Sequence, residues 1–318
     1  MQKQKQKGYG LRKRRKRIAV SSAASIVLVI AALWYHWYAP KKMEYADFDM
    51  GSVQHVTVWL TAGDLRKYGA AAILPFSCEQ EVRERPLPEE LEQLAVDSGG
   101  AFNPYMGALV KLWNIDSTDG SPPRVPAQAE IEAALAVRAL DPGAYGKGMA
   151  CDLFLEKHTK EHLEGYIYNL GGNILVFGKK PWRQPFKVAL RDPKGAQNDI
   201  LGVFSLPRTN TVATSGSYEK YFEQDGKRYH HIFDPQTGYP AQRDPGLISV
   251  TVLSGGGALG DALSTACFVL GYKAALPLLA RYNCDALFIY ENGAVRSAGQ
   301  ARRYFKLQSP AYHWEEIT

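Results

Sequence analysis

An uncharged run of about 22 residues, Ile18 to Ala39, constrains this chain more than any other feature; it is apolar or aromatic apart from Ser21, Ser22, Ser25 and His36. That length matches the hydrocarbon thickness of a bilayer, so the run is expected to be one transmembrane helix. Arg12 to Arg17 form six consecutive bases on one side, and Trp34, Tyr35, Trp37 and Tyr38 stand where an interfacial aromatic belt belongs. The positive-inside rule then makes residues 1–17 a basic cytoplasmic tail, 18–39 a single-pass anchor in the cell membrane, 40–47 a linker and 48–318 an extracytoplasmic domain. A cleaved signal peptide competes with this reading, but the bulky aromatics near the end of the run make a poor cleavage site. No Cys follows the run before Cys78, which argues against a lipoprotein.

The net charge of +6 suggests nucleic-acid binding only until its position is considered. Nine Lys and Arg residues precede Ile18 with no acid among them, and taking these nine from +6 leaves the remainder at about −3. Phosphate-backbone binding needs a basic folded face, so no nucleic-acid partner is expected. A hydrophobic content of 46% is enough for a substantial core. Cys78, Cys151, Cys267 and Cys284 allow three pairings, match no metal spacing and commit the chain to no bridge.

Alternation over Val53 to Leu60 predicts an opening strand, and Leu87, Leu91, Leu94 and Ala95 predict a helix. A second helix is expected from Pro126 to Leu140 and a third from Gly146 through Leu155 and Leu163. Gly165 to Val176 reads as a strand interrupted at Gly171-Gly172. Further strands are expected at 186–190, 201–206, 211–214, 246–253, 286–290 and 304–307, with helices at 258–270 and 274–282. Asp225-Gly226 separates two aromatic arms suited to a hairpin. Strands and helices mix without regular alternation, which predicts an α+β domain with mixed or antiparallel sheets and packed helices.

The densest chemical cluster is Tyr229 to Pro240, which places His231, Asp234 and Thr237 at three-residue intervals around a turn containing Pro235 and Gly238. An imidazole, a carboxylate and a hydroxyl converging there could exchange a proton and hold a ligand, although a capped surface turn would show the same residues. Asp261 and Thr265 are four apart on an expected helix and share a face, offering two hard oxygens of the kind Mg²⁺ takes. Asp261 could instead be a helix N-terminal charge, and Thr265 could bond its own helix. The preceding Gly255-Gly256-Gly257 leaves that helix start open to close approach. Lys147, flanked by Gly146 and Gly148, suits a phosphate or ribose, but the spacing is not that of a P-loop. Gly171-Gly172-Asn173 marks close backbone approach or a bulge, and Thr214 to Ser217 marks an anion pocket or an ordinary turn.

Met50-Gly51-Ser52, Gly100 to Pro104, Lys147-Gly148 with Asp152, Asn169 to Asn173, Thr214-Ser215-Gly216, His231 to Pro240 and Asp261 to Thr265, taken in this order, resemble the ApbE family of FAD:protein FMN transferases. The resemblance runs from about Phe48 to Leu307. It implies a Mg²⁺-dependent transferase that splits FAD at its pyrophosphate, joins FMN to a Thr or Ser hydroxyl of an acceptor protein and releases AMP. Hydrolysis of FAD to FMN and AMP, or flavin binding without catalysis, would use the same site. The resemblance further implies Asp261, Thr265 and the Gly146 carbonyl as metal ligands. Lys147, Asp152, Gly172, Asn173, Ser215, Gly216 and His231 would line the FAD site, with Met50 and Tyr105 near the flavin or adenine. His231 would activate the attacking hydroxyl, with Asp234 and Thr237 holding its turn and contacting the nucleotide. Departures from the family pattern are a compressed stretch between Leu60 and Ala101, Ser217 in place of an acid or Asn, and Gly260 in place of Ala.

Overall fold

The structure is a computed structural model, and it describes residues 27–31, 34–35, 39–61, 63–64, 66, 77–116, 120–159, 165–196 and 198–316. The expected cytoplasmic tail and most of the expected anchor lie outside these residues. Among the described residues, no helix is long and apolar enough to cross a membrane.

Strands β1 (Lys41–Asp49), β2 (Ser52–Leu60), β3 (Gly165–Leu170), β4 (Asn173–Gly178), β7 (Asn210–Gly216), β10 (Leu247–Ser254), β11 (Asp285–Tyr290), β12 (Ala294–Ala298) and β14 (His313–Trp314) form one nine-stranded sheet in the order β1-β2-β3-β4-β7-β10-β11-β12-β14. Every neighbouring pair is antiparallel except β12 and β14. A second sheet, β13-β6-β5, is built from β5 (Phe186–Arg191), β6 (Ile200–Leu206) and β13 (Phe305–Leu307), and β8 (Tyr221–Gln224) pairs with β9 (Lys227–His230) in a hairpin. The helices are α1 (Glu79–Glu84), α2 (Glu89–Asp97), α3 (Gly107–Trp113), α4 (Gln128–Leu135), α5 (Gly146–Thr159), α6 (Gly257–Leu270), α7 (Tyr272–Arg281) and α8 (Ala301–Tyr304). This is the expected α+β architecture.

Strand periodicity explains the layering. Along β11, Ala286, Phe288 and Tyr290 join the core shared with α5, α6 and α7, while Leu287 and Ile289 turn to the core beneath β5 and β6. The large sheet is thus covered by helices on one face and by the small sheet on the other. A third cluster, centred on fully buried Trp113, joins α3 and α4 to Phe233 and the β8–β9 hairpin.

Three local expectations change. The segment expected to be a linker, 40–47, belongs from Lys41 onward to edge strand β1, with Met43 and Tyr45 partly buried at alternate positions and the charged residues around them in solvent. Gly171-Gly172 is a two-residue turn joining β3 to β4 rather than an interruption within one strand; φ is +56° and +91° there, a pairing that glycine adopts freely. The helix expected to reach Leu140 stops at Leu135, and the chain beyond it forms a bridge from Ala139 to Met106. The Asp225-Gly226 hairpin forms as expected, with both residues at positive φ.

Candidate active site

One end of the large sheet gathers the turns Met50-Gly51 and Gly171-Gly172 and the terminus of β7 at Ser215-Gly216. Helix α5 starts against them: a Cβ added at Gly146 would meet Met50 Cε at 3.2 Å, and one at Gly171 would meet Lys147 Cδ at 3.3 Å. Lys147 therefore lies over the β3–β4 turn, with Met50 beside Gly146.

Helices α5 and α6 cross in direct backbone contact. A Cβ at Gly148 would lie 2.1 Å from the Gly257 carbonyl oxygen, and a Cβ at Gly257 would lie 2.1 Å from that of Gly148. The crossing is pinned from both sides. Gly148 N–H donates to Asp261 Oδ2 at 2.9 Å, while Gly257 and Ala258 N–H donate to Asp152 Oδ1 and Oδ2 at 2.6 and 2.8 Å. Asp152 thus caps α6, and the open helix start expected at Gly255 to Gly257 is closed by a side chain from the neighbouring helix.

Asp261 is buried, and loss of water raises its pKa above the ordinary carboxylate range, with the nearby Lys147 charge and the bonds from Gly148 and Asn173 opposing. Asn173 Nδ2 donates to Asp261 Oδ1 at 3.3 Å, whereas Asn173 Oδ1 is buried with no hydrogen-bond partner. Thr265 Oγ1 makes only long contacts, 3.3 Å to the Asp261 carbonyl and 3.3 Å to Ser215 Oγ. Ser264, which sequence reading passed over, bonds Ser215 Oγ at 2.7 Å and donates to the Asp261 carbonyl at 2.8 Å. A half-compensated carboxylate, an orphaned amide oxygen and a loosely held hydroxyl suit a hard cation that keeps places for phosphate oxygens and water. Among the described residues there is no cluster of three or more His, Cys, Asp or Glu to hold a metal, so a soft-metal cage is not what these side chains build. Gly172 is exposed at the turn, and Gly216 is buried against the Tyr218 ring.

Two adjacent histidines take opposite tautomers. His230 Nδ1 accepts from Ile232 N–H, so its Nε2 carries the proton and donates to the Ala241 carbonyl at 3.2 Å. In half-buried His231, Nδ1 faces the Lys220 carbonyl at 3.2 Å. A carbonyl only accepts, so Nδ1 holds the proton of the neutral ring and Nε2 is left as the free base. Burial pushes the pKa of both rings down to about 4; at His231 the Lys220 and Lys147 charges add to this, while the Lys220 carbonyl and Asp116 oppose it. Because unfolded histidine titrates near 6.5, the unfolded chain binds more protons between pH 6.5 and 4, and stability contributed by neutral histidine is lost as pH falls through that window. His230→Gln removes one such group, and its melting temperature is expected to fall less than the wild type's between pH 7 and 4.5; parallel curves would contradict the assignment.

Asp234 does not touch His231. Arg243 grips it with Nε to Oδ2 at 2.6 Å and a second nitrogen to Oδ1 at 2.7 Å, and Gln236 N–H donates at 2.9 Å. Burial alone would raise the Asp234 pKa, but these bonds outweigh it and leave the carboxyl below its ordinary value. Trp113 Nε1 donates to the Gly238 carbonyl at 2.9 Å, and exposed Thr237 Oγ1 accepts from Tyr239 N–H at 3.3 Å. The turn is thereby held on Trp113, Asp234 and Arg243, and its hydroxyl at Thr237 faces solvent. Arg243→Ala leaves a buried carboxylate without its cation; since Arg243 is itself partly exposed, a loss of about 2 kcal/mol is expected by chemical denaturation. Lys220, whose Nζ pairs with Asp116 Oδ2 at 2.6 Å, and Arg243 carried no local sequence signal. Tyr105 lines a groove of about 480 Å³ between α2 and the end of α4, with the Arg138 guanidinium 3.8 Å above its ring, and it lies within electrostatic reach of Tyr145, the residue before Gly146. All four cysteines are buried and free.

The sequence model of the ApbE family matches residues 54–288. A FAD:protein FMN transferase of Treponema pallidum is 39% identical over 236 residues, covering 64% of this chain and 64% of that protein, and one of Klebsiella pneumoniae is 35% identical over 232 residues, covering 66% and 70%. The chain therefore spans just under two thirds of the Treponema protein's length. The ApbE protein of Thermotoga maritima superposes with a TM-score of 0.66 at 27% identity over 83% of this chain and 99% of that one, and the apo flavinyl transferase ApbE of Pseudomonas stutzeri with 0.64 at 26% over 84% and 98%. The family model covers well over half of the sequence, and the chain belongs to the ApbE family.

Proposed function

We propose that this chain transfers FMN from FAD to a Thr or Ser hydroxyl of an extracytoplasmic acceptor protein and releases AMP, and that residues 18–39 anchor it in the cell membrane. The observation that carries the chemistry is the placing of Lys147 within electrostatic reach of both Asp261 and His231. One cation thus bears on both an oxygen-rich pocket and a free imidazole.

The protein's part is chiefly to position groups and balance charge. Asp261, Thr265 and Asn173 Oδ1 would hold Mg²⁺, with the Gly146 carbonyl as a further ligand. Bound there, the ion would neutralise charge developing across the pyrophosphate. Lys147 would contact the phosphates, and the Met50, Gly171-Gly172 and Ser215-Gly216 turns would wall the nucleotide. His231 Nε2 would take the proton of the acceptor hydroxyl as its oxygen bonds to the FMN phosphorus and the bond to the AMP oxygen breaks. Asp234 would keep that base in place through the turn rather than by touching it.

Incubation of the full chain with FAD, Mg²⁺ and candidate acceptor proteins should give an acceptor heavier by one FMN less one water, with one AMP released per adduct. AMP without adduct would show hydrolysis instead, and bound FAD with no AMP would reduce the protein to a flavin carrier. Since His231 stays neutral far below pH 7, transfer should be nearly flat from pH 7.5 to about 5.5. A rate falling in proportion to protonation near pH 6.5 would place the base elsewhere.

A further inference from the structure

The end of the sheet opposite the site carries a different chemistry. Register places the start of β1, the finish of β2, the start of β3 and the finish of β4 together: Lys41 pairs with Leu60, Val58 with Tyr166, and Gly165 with Gly178. Gly178 N–H donates to Thr209 Oγ1 at 3.1 Å, which brings the β6–β7 turn to the same end. Lys41, Lys42, Lys179, Lys180, Arg183 and Arg208 gather there. Among the described residues, the acids nearby are already engaged, Glu44 by Lys42 and Asp64 by the Thr61 amide and hydroxyl.

Trp182 projects from this basic end. It is 71% exposed, among the most exposed large apolar side chains described, and it and Arg183 both hold positive φ, at +56° and +53°. A bulky residue in that conformation is uncommon, and here the backbone turns an indole outward between lysines and an arginine. By contrast Trp59, on the neighbouring strand, packs against Phe186 and lies beneath the Lys180 ammonium.

The apolar run ends at Ala39, and β1 begins two residues later. At about 3.3 Å per residue, Lys41 stands within roughly 7 Å of the end of that run, inside the ~8 Å over which charge is felt at physiological salt. We propose that this basic, tryptophan-bearing end of the sheet rests on the surface of an anionic phospholipid bilayer, with Trp182 in the headgroup region. The inference rests on the anchor reading and is independent of the transfer chemistry. Exposed indole flanked by lysine and arginine fits an interface that is apolar on one side and negatively charged on the other. Docking so places the Met50, Gly171-Gly172 and His231 end away from the lipid, the height of the sheet above it.

The test uses the full chain reconstituted in liposomes with and without phosphatidylglycerol, comparing wild type with Trp182→Phe. Their emission difference isolates Trp182, while the remaining signal includes Trp34 and Trp37 of the anchor. Bromine-labelled lipid should cause about a twofold loss of the difference signal in anionic vesicles, and the loss should shrink in neutral vesicles and in Lys179→Glu/Lys180→Glu/Arg183→Glu. Anchor quenching with a Trp182 signal still open to aqueous iodide would overturn the docking alone and leave an acidic protein as the partner of this patch. Absence of quenching in both proteins would overturn the anchor and the docking together.

Discussion

Asp261→Asn should lose about a thousandfold or more of the transfer rate while remaining as stable as the wild type or more so. Metal-borne charge stabilisation amounts to several kcal/mol of the barrier, and each 1.36 kcal/mol is tenfold in rate. Stability moves the other way for a reason visible in the structure. The Asp261 pKa is raised on folding, chiefly by burial, so its ionised form disfavours the folded state above that pKa when no cation is bound. An amide at 261 still accepts from Gly148 N–H, and its NH₂ group can be met by the Asn173 amide turning its unpartnered Oδ1 inward. Mg²⁺ should raise the melting temperature of the wild type and not that of the variant. Activity within tenfold of wild type, or an equal Mg²⁺ response in both, would remove Asp261 from the metal site.

Gly148→Ala and Gly257→Ala should each cost about 3 kcal/mol or more, lowering the melting temperature by roughly 6–12 °C for a domain of this size. The methyl would meet carbonyl oxygen of the opposite helix at 2.1 Å, and neither helix has a flexible side chain there to move aside. Parting the helices would loosen the Gly148–Asp261 bond and the Asp152 cap, so catalysis should fall with stability. Gly255 is the control within the same glycine run: a Cβ there meets nothing within 4 Å, and Gly255→Ala should leave the melting curve unchanged. Equal effects at 255 and 257 would argue that backbone entropy, not the crossing, sets the requirement.

What could be read from the sequence was whatever repeats locally. Val53 to Leu60 alternates and is β2; Leu91 and Leu94 keep a helical period and are the buried face of α2. Asp261 and Thr265, four apart, do share a helix face, and Thr265 also makes the bond to its own helix that the plainer reading allowed. Edge strand β1 escaped notice because one side of it is solvated, so Lys, Glu and Asp interrupt its pattern. Long-range partners left no trace. Gly148 gives no hint of Gly257, and Trp113 gives none of the Gly238 carbonyl 125 residues away. The His231–Asp234–Thr237 spacing suggested three groups converging on one ligand, but their partners are Lys220 and Arg243, which come from an adjacent loop and a later turn. Tyr105 likewise gives no hint of Arg138, whose guanidinium lies 3.8 Å above its ring.

The Asp152 cap has a consequence for ligand choice. A bare helix start attracts any anion of suitable size through its amides and dipole, whereas α6 has already given its first amides to a carboxylate of its own chain. Sulfate or free phosphate should therefore compete poorly with FAD. Discrimination passes to Lys147 and the oxygen pocket around Asp261, so the supply of magnesium, rather than the concentration of competing anions, would govern how much dinucleotide the protein retains.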